Sequence, residues 1–171
     1  MPFAALLLAL HCNVYAVDSA SIEFATGNKT QVARVGMQWK WESRWWQSND
    51  THLGGYWDLT LAQWRGTRFQ NSDQSQNITS IGITPVFRLQ SDTLKGFYAE
   101  GSIGIHYLSD LYNNNGRQLS TRVEFGDALG IGYVFQNNVD LGLKIQHFSN
   151  GGIKEPNSGV NFAVIRFAYP F

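Results

Sequence analysis

Apolar and polar residues alternate along most of this chain, the signature of half-buried β-strands. In NFAVIRFAYPF, Ala163, Ile165, Phe167, Tyr169 and Phe171 share one side; in VDLGLKIQHFSN, Val139, Leu141, Leu143 and Ile145 do so, with Asp140, Lys144 and Gln146 on the other. The same pattern predicts strands at ASIEFATG, VARVGMQWKWE, GYWDLTLAQW, SIGITPVFRLQ, GFYAEGSIGIHYL and LSTRVEFGDALGIGYVF, and no long stretch has a helical apolar period. About eight strands of about 9 to 11 residues with modest loops occupy the chain, which leaves no room for a second domain.

Charge parity separates the two architectures that could use such strands. Arg34, Lys40, Asp58, Arg88, Glu100, Arg122, Glu124, Lys144 and Arg166 all lie opposite the apolar stripe of their own strand. A charged interior cannot be the core of a small soluble β-sandwich. It suits the lumen of a closed transmembrane barrel, whose outside is apolar. The expected fold is therefore an all-β, eight-stranded antiparallel transmembrane β-barrel of the bacterial outer membrane, and the alternation through Phe171 resembles the closing strand of such barrels. With the N-terminus in the periplasm, the polar segments 66–77, 109–118 and 150–160 become outer loops, and 136–138 becomes a tight periplasmic turn. Trp39, Trp41, Trp45, Trp46, Trp57 and Trp64 are candidates for interfacial girdles.

Composition narrows the chemistry. Residues 1–16 read as a secretory signal peptide cut after Ala16, although the segment before its apolar run has no Lys or Arg. Residues 17–171 are then the barrel domain. The single cysteine, Cys12, leaves with the signal, so neither a disulfide framework nor a thiol nucleophile is expected. His52, His106 and His147 are widely separated and match no metal-ligand spacing, so neither metal nor cofactor is expected. Formal net charge is zero and nothing points to nucleic acid. The mean hydropathy of −0.23 would ordinarily suggest a soluble protein, but only alternate residues of a barrel meet lipid.

Three polar residues break the apolar stripes: His147 and Ser149 continue that of Leu143 and Ile145, and Asp127 shares the face of Phe125, Leu129 and Ile131. Polar groups facing lipid are costly, which marks all three as functional candidates. Side chains at 147 and 149 point the same way from Cα atoms about 6–7 Å apart, so a histidine base can serve a serine nucleophile. The structural alternative is a pair of interfacial polar residues where a strand becomes a loop. A regular 136–138 turn brings Asp127 opposite His147, and a regular last hairpin brings Asn161 there from the other side. Either can be the third group that orients the histidine. Asn150, Gly151 and Gly152 follow the serine and are candidate oxyanion donors, with a flexible loop as the plainer account.

At this point the residues carry a resemblance. HFSNGGIKEPNSG resembles the C-terminal motif of the lipid A 3-O-deacylases (the PagL family), His-x-Ser-Asn followed by Gly-Ile-Lys-x-Pro-Asn, and FGDALGIGYVF resembles the segment preceding it. The specific match covers roughly 125–171; before that only barrel architecture is shared. The resemblance implies a metal-independent esterase that removes the acyl chain at position 3 of lipid A with a Ser-His-Glu triad on the barrel's outer surface. His147 and Ser149 match base and nucleophile, whereas Asn161 stands where the family carries glutamate. The implied partners are lipopolysaccharide as substrate and the surrounding outer-membrane lipids, with a homodimer as a further candidate. Arg65, Arg68, Arg117 and Lys154 are candidates for contacts to lipid A phosphates. The rival readings are a noncatalytic small barrel, or another outer-membrane lipid enzyme such as a phospholipase or acyltransferase.

Overall fold

In the computed structural model, which describes residues 16–171, alternation becomes strand along nearly the whole chain. The predicted cleavage after Ala16 and Cys12 concern a segment whose residues 1–15 lie outside the described residues. The strands are β1 (Ser19–Gly27), β2 (Thr30–Lys40), β3 (Trp45–Ser48), β4 (Thr51–Phe69), β5 (Gln74–Ser91), β6 (Gly96–Leu108), β7 (Asn113–Asn114), β8 (Arg117–Gln118), β9 (Val123–Val134), β10 (Asp140–Ser149) and β11 (Val160–Pro170). Eight of them form a ring in the order β2-β1-β11-β10-β9-β6-β5-β4, and the antiparallel β2–β4 pairing closes it. Closure leaves no unpaired edge in the ring, which is the condition for a sheet to cross lipid. The short β3 packs on β4 at one end, and the β7–β8 hairpin reaches β4 at Phe69 at the other.

Two predicted boundaries move. Segment 66–77, expected as an outer loop, is mostly strand: β4 and β5 run on as a paired ribbon to Phe69 and Gln74, and only 70–73 turn between them. Cross-strand pairing to a neighbour sustains polar residues in an extended ladder that composition alone assigns to a loop. Conversely, β9 begins at Val123, because Leu119 folds inward over the barrel mouth and is 1% exposed. The turn at 136–138 is as expected: the Phe135 N–H donates to the Val139 carbonyl at 2.8 Å, and Asn138 takes φ +70°.

The barrel surface is apolar, with Ile22, Phe24, Leu61, Ile83, Ile105, Ile131 and Ile145 all exposed. Inside, the described residues form two layers. The end near the chain termini holds ion pairs: Glu23 accepts from Arg34 and Lys144, each at 2.7 Å, and Asp140 accepts from Arg88 and Arg166, each at 2.9 Å. Pairing of this kind is what allows charge to be buried. Lys40 and Arg122, at strand ends, are exposed rather than luminal. The other end is filled by an apolar cluster that includes Trp64, Ile78, Leu108, Tyr112, Leu119, Phe148 and Phe162. Trp64 thus belongs to the interior, 1% exposed, and not to a girdle. It lies between polar-looking neighbours, Gln63 and Arg65, that face outward, so parity sends it inside. Trp41, Trp45, Trp57 and Phe87 instead pack edge to face on the outer surface near the terminal end.

Candidate functional site

The aromatic layer fixes the strand segments that carry the polar outward residues. Phe148, between His147 and Ser149, is fully buried, its ring 4.9 Å from Trp64 and 5.0 Å from His106. Phe162, beside Asn161, is 5.1 Å from Trp64. With these rings locked inward, residues 147, 149 and 161 must face outward. Register then brings Asn161 opposite His147 on β11, and Asp127 opposite His147 on β9, with Phe125 opposite Ser149.

The two flanking groups are not equivalent. His147 Nδ1 lies 2.6 Å from Asn161 Oδ1. An amide oxygen only accepts, so Nδ1 carries the proton and Nε2 is left with its lone pair. Asp127 is exposed on the outer face, and its carboxylate has no hydrogen bond or ion pair among the described residues. Ser149 is half-buried, and its hydroxyl likewise has no hydrogen bond among the described residues.

The loop after Ser149 is organised around Asn150, which is fully buried. Its backbone N–H donates to Asn157 Oδ1 at 3.1 Å, its side-chain amide donates to the Lys154 carbonyl at 2.7 Å, and its Oδ1 accepts from the Gly152 N–H at 3.0 Å. Of the three N–H groups expected to face an oxyanion, those of Asn150 and Gly152 are therefore already engaged. The Gly151 N–H, at a position with φ +65°, and the Asn157 Nδ2 group are among the loop donors without a partner among the described residues. The loop is tied to the 109–122 segment by the Ser158 N–H to Gln118 carbonyl bond (3.0 Å) and the Leu119–Asn157 bridge.

Gly159, like Asn157, is a site residue that sequence reasoning passed over, although it ends the quoted HFSNGGIKEPNSG run. It sits at φ +61°, and a Cβ there would lie 2.5 Å from His147 Cε1. Only glycine leaves space for the ring in its present place. The signal was available: a glycine directly before a strand facing the histidine.

Of the cations suggested for phosphate contacts, Arg68 is paired with Asp73, and Arg117 donates to the Ser158 carbonyl at 2.7 Å. Arg65 faces outward on β4, separated from β10 around the ring by β11, β1 and β2. Lys154 is exposed on the site's own loop. One side-chain position below His147 and Asn161, Ile145 and Ala163 open onto a shallow outer groove of about 1110 Å³, lined also by Phe24, Leu129, Leu143 and Ile165.

A closed barrel with an apolar outside defines an integral outer-membrane protein, and this one carries a histidine and a serine on that outside beside a glycine-containing loop. Comparison with known proteins makes this specific. Residues 31–170 match the model of the lipid A 3-O-deacylase (PagL) family. The chain is 30% identical to the lipid A deacylase PagL of Pseudomonas aeruginosa over 99% of its own length and 97% of the relative's. It is 28% identical to that of Bordetella bronchiseptica over 99% and 94%. A crystal structure of the outer membrane enzyme PagL superposes with TM-score 0.77 at 26% identity, covering 90% of this chain and 99% of that one. The Yersinia pestis outer membrane protein Ail (TM-score 0.51, 12% identity, 92% of this chain and 100% of that one) shares the fold alone. The chain belongs to the lipid A 3-O-deacylase family, and with it to the hydrolases of the outer membrane.

Proposed function

We propose that this chain hydrolyses the ester-linked acyl chain at position 3 of lipid A, with Ser149 as nucleophile and His147 as general base. The observation that carries the reading is the 2.6 Å bond between His147 Nδ1 and Asn161 Oδ1 on the outer face. It fixes the tautomer whose Nε2 accepts a proton. Nε2 takes the Ser149 proton as Oγ attacks the ester carbonyl, then returns it to the departing sugar oxygen. A water, activated by the same nitrogen, releases the fatty acid from the acyl-serine. The Gly151 N–H and the Asn157 amide are the assigned oxyanion donors, and Asn150 builds the loop that presents them.

The site's place in the membrane supports a lipid substrate. The start of β1 and the end of β11 lie at the barrel end opposite Ser149, since Ser19 pairs with Pro170. Termini in the periplasm then put Ser149 at the outer leaflet, where lipopolysaccharide resides, and the groove beneath His147 offers apolar surface to an acyl chain. The test is a mass spectrum of lipid A from cells expressing the chain or its Ser149→Ala variant. Loss of the 3-linked chain only with the former is expected; unaltered lipid A from cells with folded protein overturns the reading.

A further inference from the structure

The outer surface at the barrel end opposite Ser149 carries a second feature, built where the chain leaves the ring after β2. The short β3 folds back on β4, with Trp45 paired to Leu53 and an irregularity between Trp45 and Ser48. That irregularity holds Trp46, which stands at φ +50° and is 82% exposed. A left-handed backbone at a bulky residue costs roughly 1–2 kcal/mol, and an indole left in water adds to the cost. The hairpin is held in this state by Trp41 behind it. The Trp41 N–H donates to the Gly55 carbonyl at 2.9 Å, and its ring packs edge to face on Trp45 at 5.8 Å and Phe87 at 5.0 Å. A Cβ at position 55 would lie 2.3 Å from the Trp41 ring, so only a glycine there leaves room for the indole. The result is an open cleft of about 560 Å³ lined by Arg44, Trp45, Trp46, Leu53 and Phe87. Four of these are apolar, and the fifth is a cation without a close partner. Arg44 Nη1 lies 3.9 Å from Asp92 Oδ1, an oxygen that already meets His52 Nδ1 at 2.7 Å. The guanidinium therefore makes no hydrogen bond among the described residues.

We propose that this cleft binds one glycerophospholipid, with the lipid phosphate on Arg44 and the upper part of an acyl chain against Trp45, Trp46, Leu53 and Phe87. Two observations choose a lipid as the occupant. The cleft is continuous with the lipid-facing belt, since Phe87 shares the outer face of β5 with the exposed Leu89, Ile83 and Ile81. Arg44 also borders the mouth of the lumen, the height at which strands end and polar headgroups begin. A lipid whose chain follows the belt brings its phosphate to that height. There the guanidinium fork matches phosphate oxygens, and indoles are favoured because one edge stays wet while the ring is covered. A single ligand thus covers Trp46 and satisfies Arg44. An aromatic girdle alone accounts for the indoles, but not for an arginine without a hydrogen bond in the cleft they form. The leaflet rests on the reading that places Ser149 at the outer one: the cleft then faces the periplasmic leaflet, where glycerophospholipids replace lipopolysaccharide.

The experiment titrates the full barrel in maltoside micelles with dioleoyl phosphatidylethanolamine or with dioleoylglycerol, which has the same chains and no phosphate, and reads the lipid-bound fraction by native mass spectrometry. The wild-type protein is expected to retain one phospholipid per barrel, with an affinity about tenfold above that for dioleoylglycerol. Arg44→Gln is expected to erase this preference by lowering only the retention of the phospholipid. Trp46→Ala is expected to weaken both lipids alike. Heat-modifiable migration on gels confirms that each variant is a folded barrel. Equal retention of the two lipids by the wild-type protein would leave the cleft as ordinary girdle surface and overturn the proposal. An unchanged preference in Arg44→Gln, or unchanged retention in Trp46→Ala, would do the same. Binding is read without any reaction at Ser149, so failure of the esterase reading is distinguishable: it appears as unaltered lipid A in cells with folded protein and leaves the lipid-bound fraction as it was.

Discussion

The exchange at position 161 gives the sharpest test of how this site works. Asn161 Oδ1 holds His147 Nδ1 at 2.6 Å, a geometry that orients the ring but brings no negative charge to it. When Nε2 takes the serine proton, the bond to Oδ1 becomes charge-assisted and tightens. Asn161→Leu removes the acceptor at nearly constant volume and forfeits that gain, about 1.5 kcal/mol or roughly tenfold in kcat/KM, together with the tautomer it enforces. Asn161→Glu does the opposite. A carboxylate about 4 Å from the imidazolium centre is attracted by about 4 kcal/mol at an effective dielectric of 20. Desolvation of the new charge and its partial exposure reduce the net to about 2 kcal/mol, so activity should rise about thirtyfold. Release of the 3-linked fatty acid from purified lipid A in micelles, followed by mass spectrometry, gives the rates. Heat-modifiable migration on gels confirms that each variant is folded. A folded Asn161→Leu enzyme with the wild-type rate, or a folded Asn161→Glu enzyme without activity, would refute the argument that this hydrogen bond prepares the base.

Ser149→Ala and His147→Ala should each abolish release while leaving a heat-modifiable barrel, since both side chains lie outside the core; retention of the wild-type rate by either removes that residue from the mechanism. Gly159→Ala should displace the His147 ring and lower kcat by about a hundredfold, because its Cβ would fall 2.5 Å from Cε1; an unchanged kcat would show that the ring position does not matter. Trp64→Ala should lower the unfolding free energy in urea by about 3–5 kcal/mol, because the buried indole supports both Phe148 and Phe162; a loss below 1 kcal/mol would contradict the role given to the aromatic layer. Leu129→Arg, on the outer face, should destabilise the barrel in lipid by about 2–4 kcal/mol, measured by folding into liposomes; no loss would mean that this face does not meet lipid.

What the sequence determined is largely what a period of two determines. Which face a side chain takes is a local property of an extended chain, so the alternation around Ile145, Leu129 and Ile165 was enough to read strands, a closed barrel and an apolar exterior. The same parity singled out His147, Ser149 and Asp127 as polar residues on that exterior. Register was legible where a turn was tight: the 136–138 turn fixed Asp127 opposite His147, because a short connection permits few pairings. The structure decided matters that depend on groups distant in sequence. Asn161 and Asp127 flank His147 symmetrically in register, and only the direction of the ring, set by the space over Gly159, selects Asn161. The engagement of the Asn150 and Gly152 N–H groups follows from a loop folded around a buried amide, which no periodicity records. The division of the lumen into an ion-paired layer and an aromatic one, with Trp64 inside, arises because parity says that a residue faces inward but not at what height it sits or what it meets there. Height and partners are set by the stagger of strands around the closed ring, a property of the whole barrel and of no single strand.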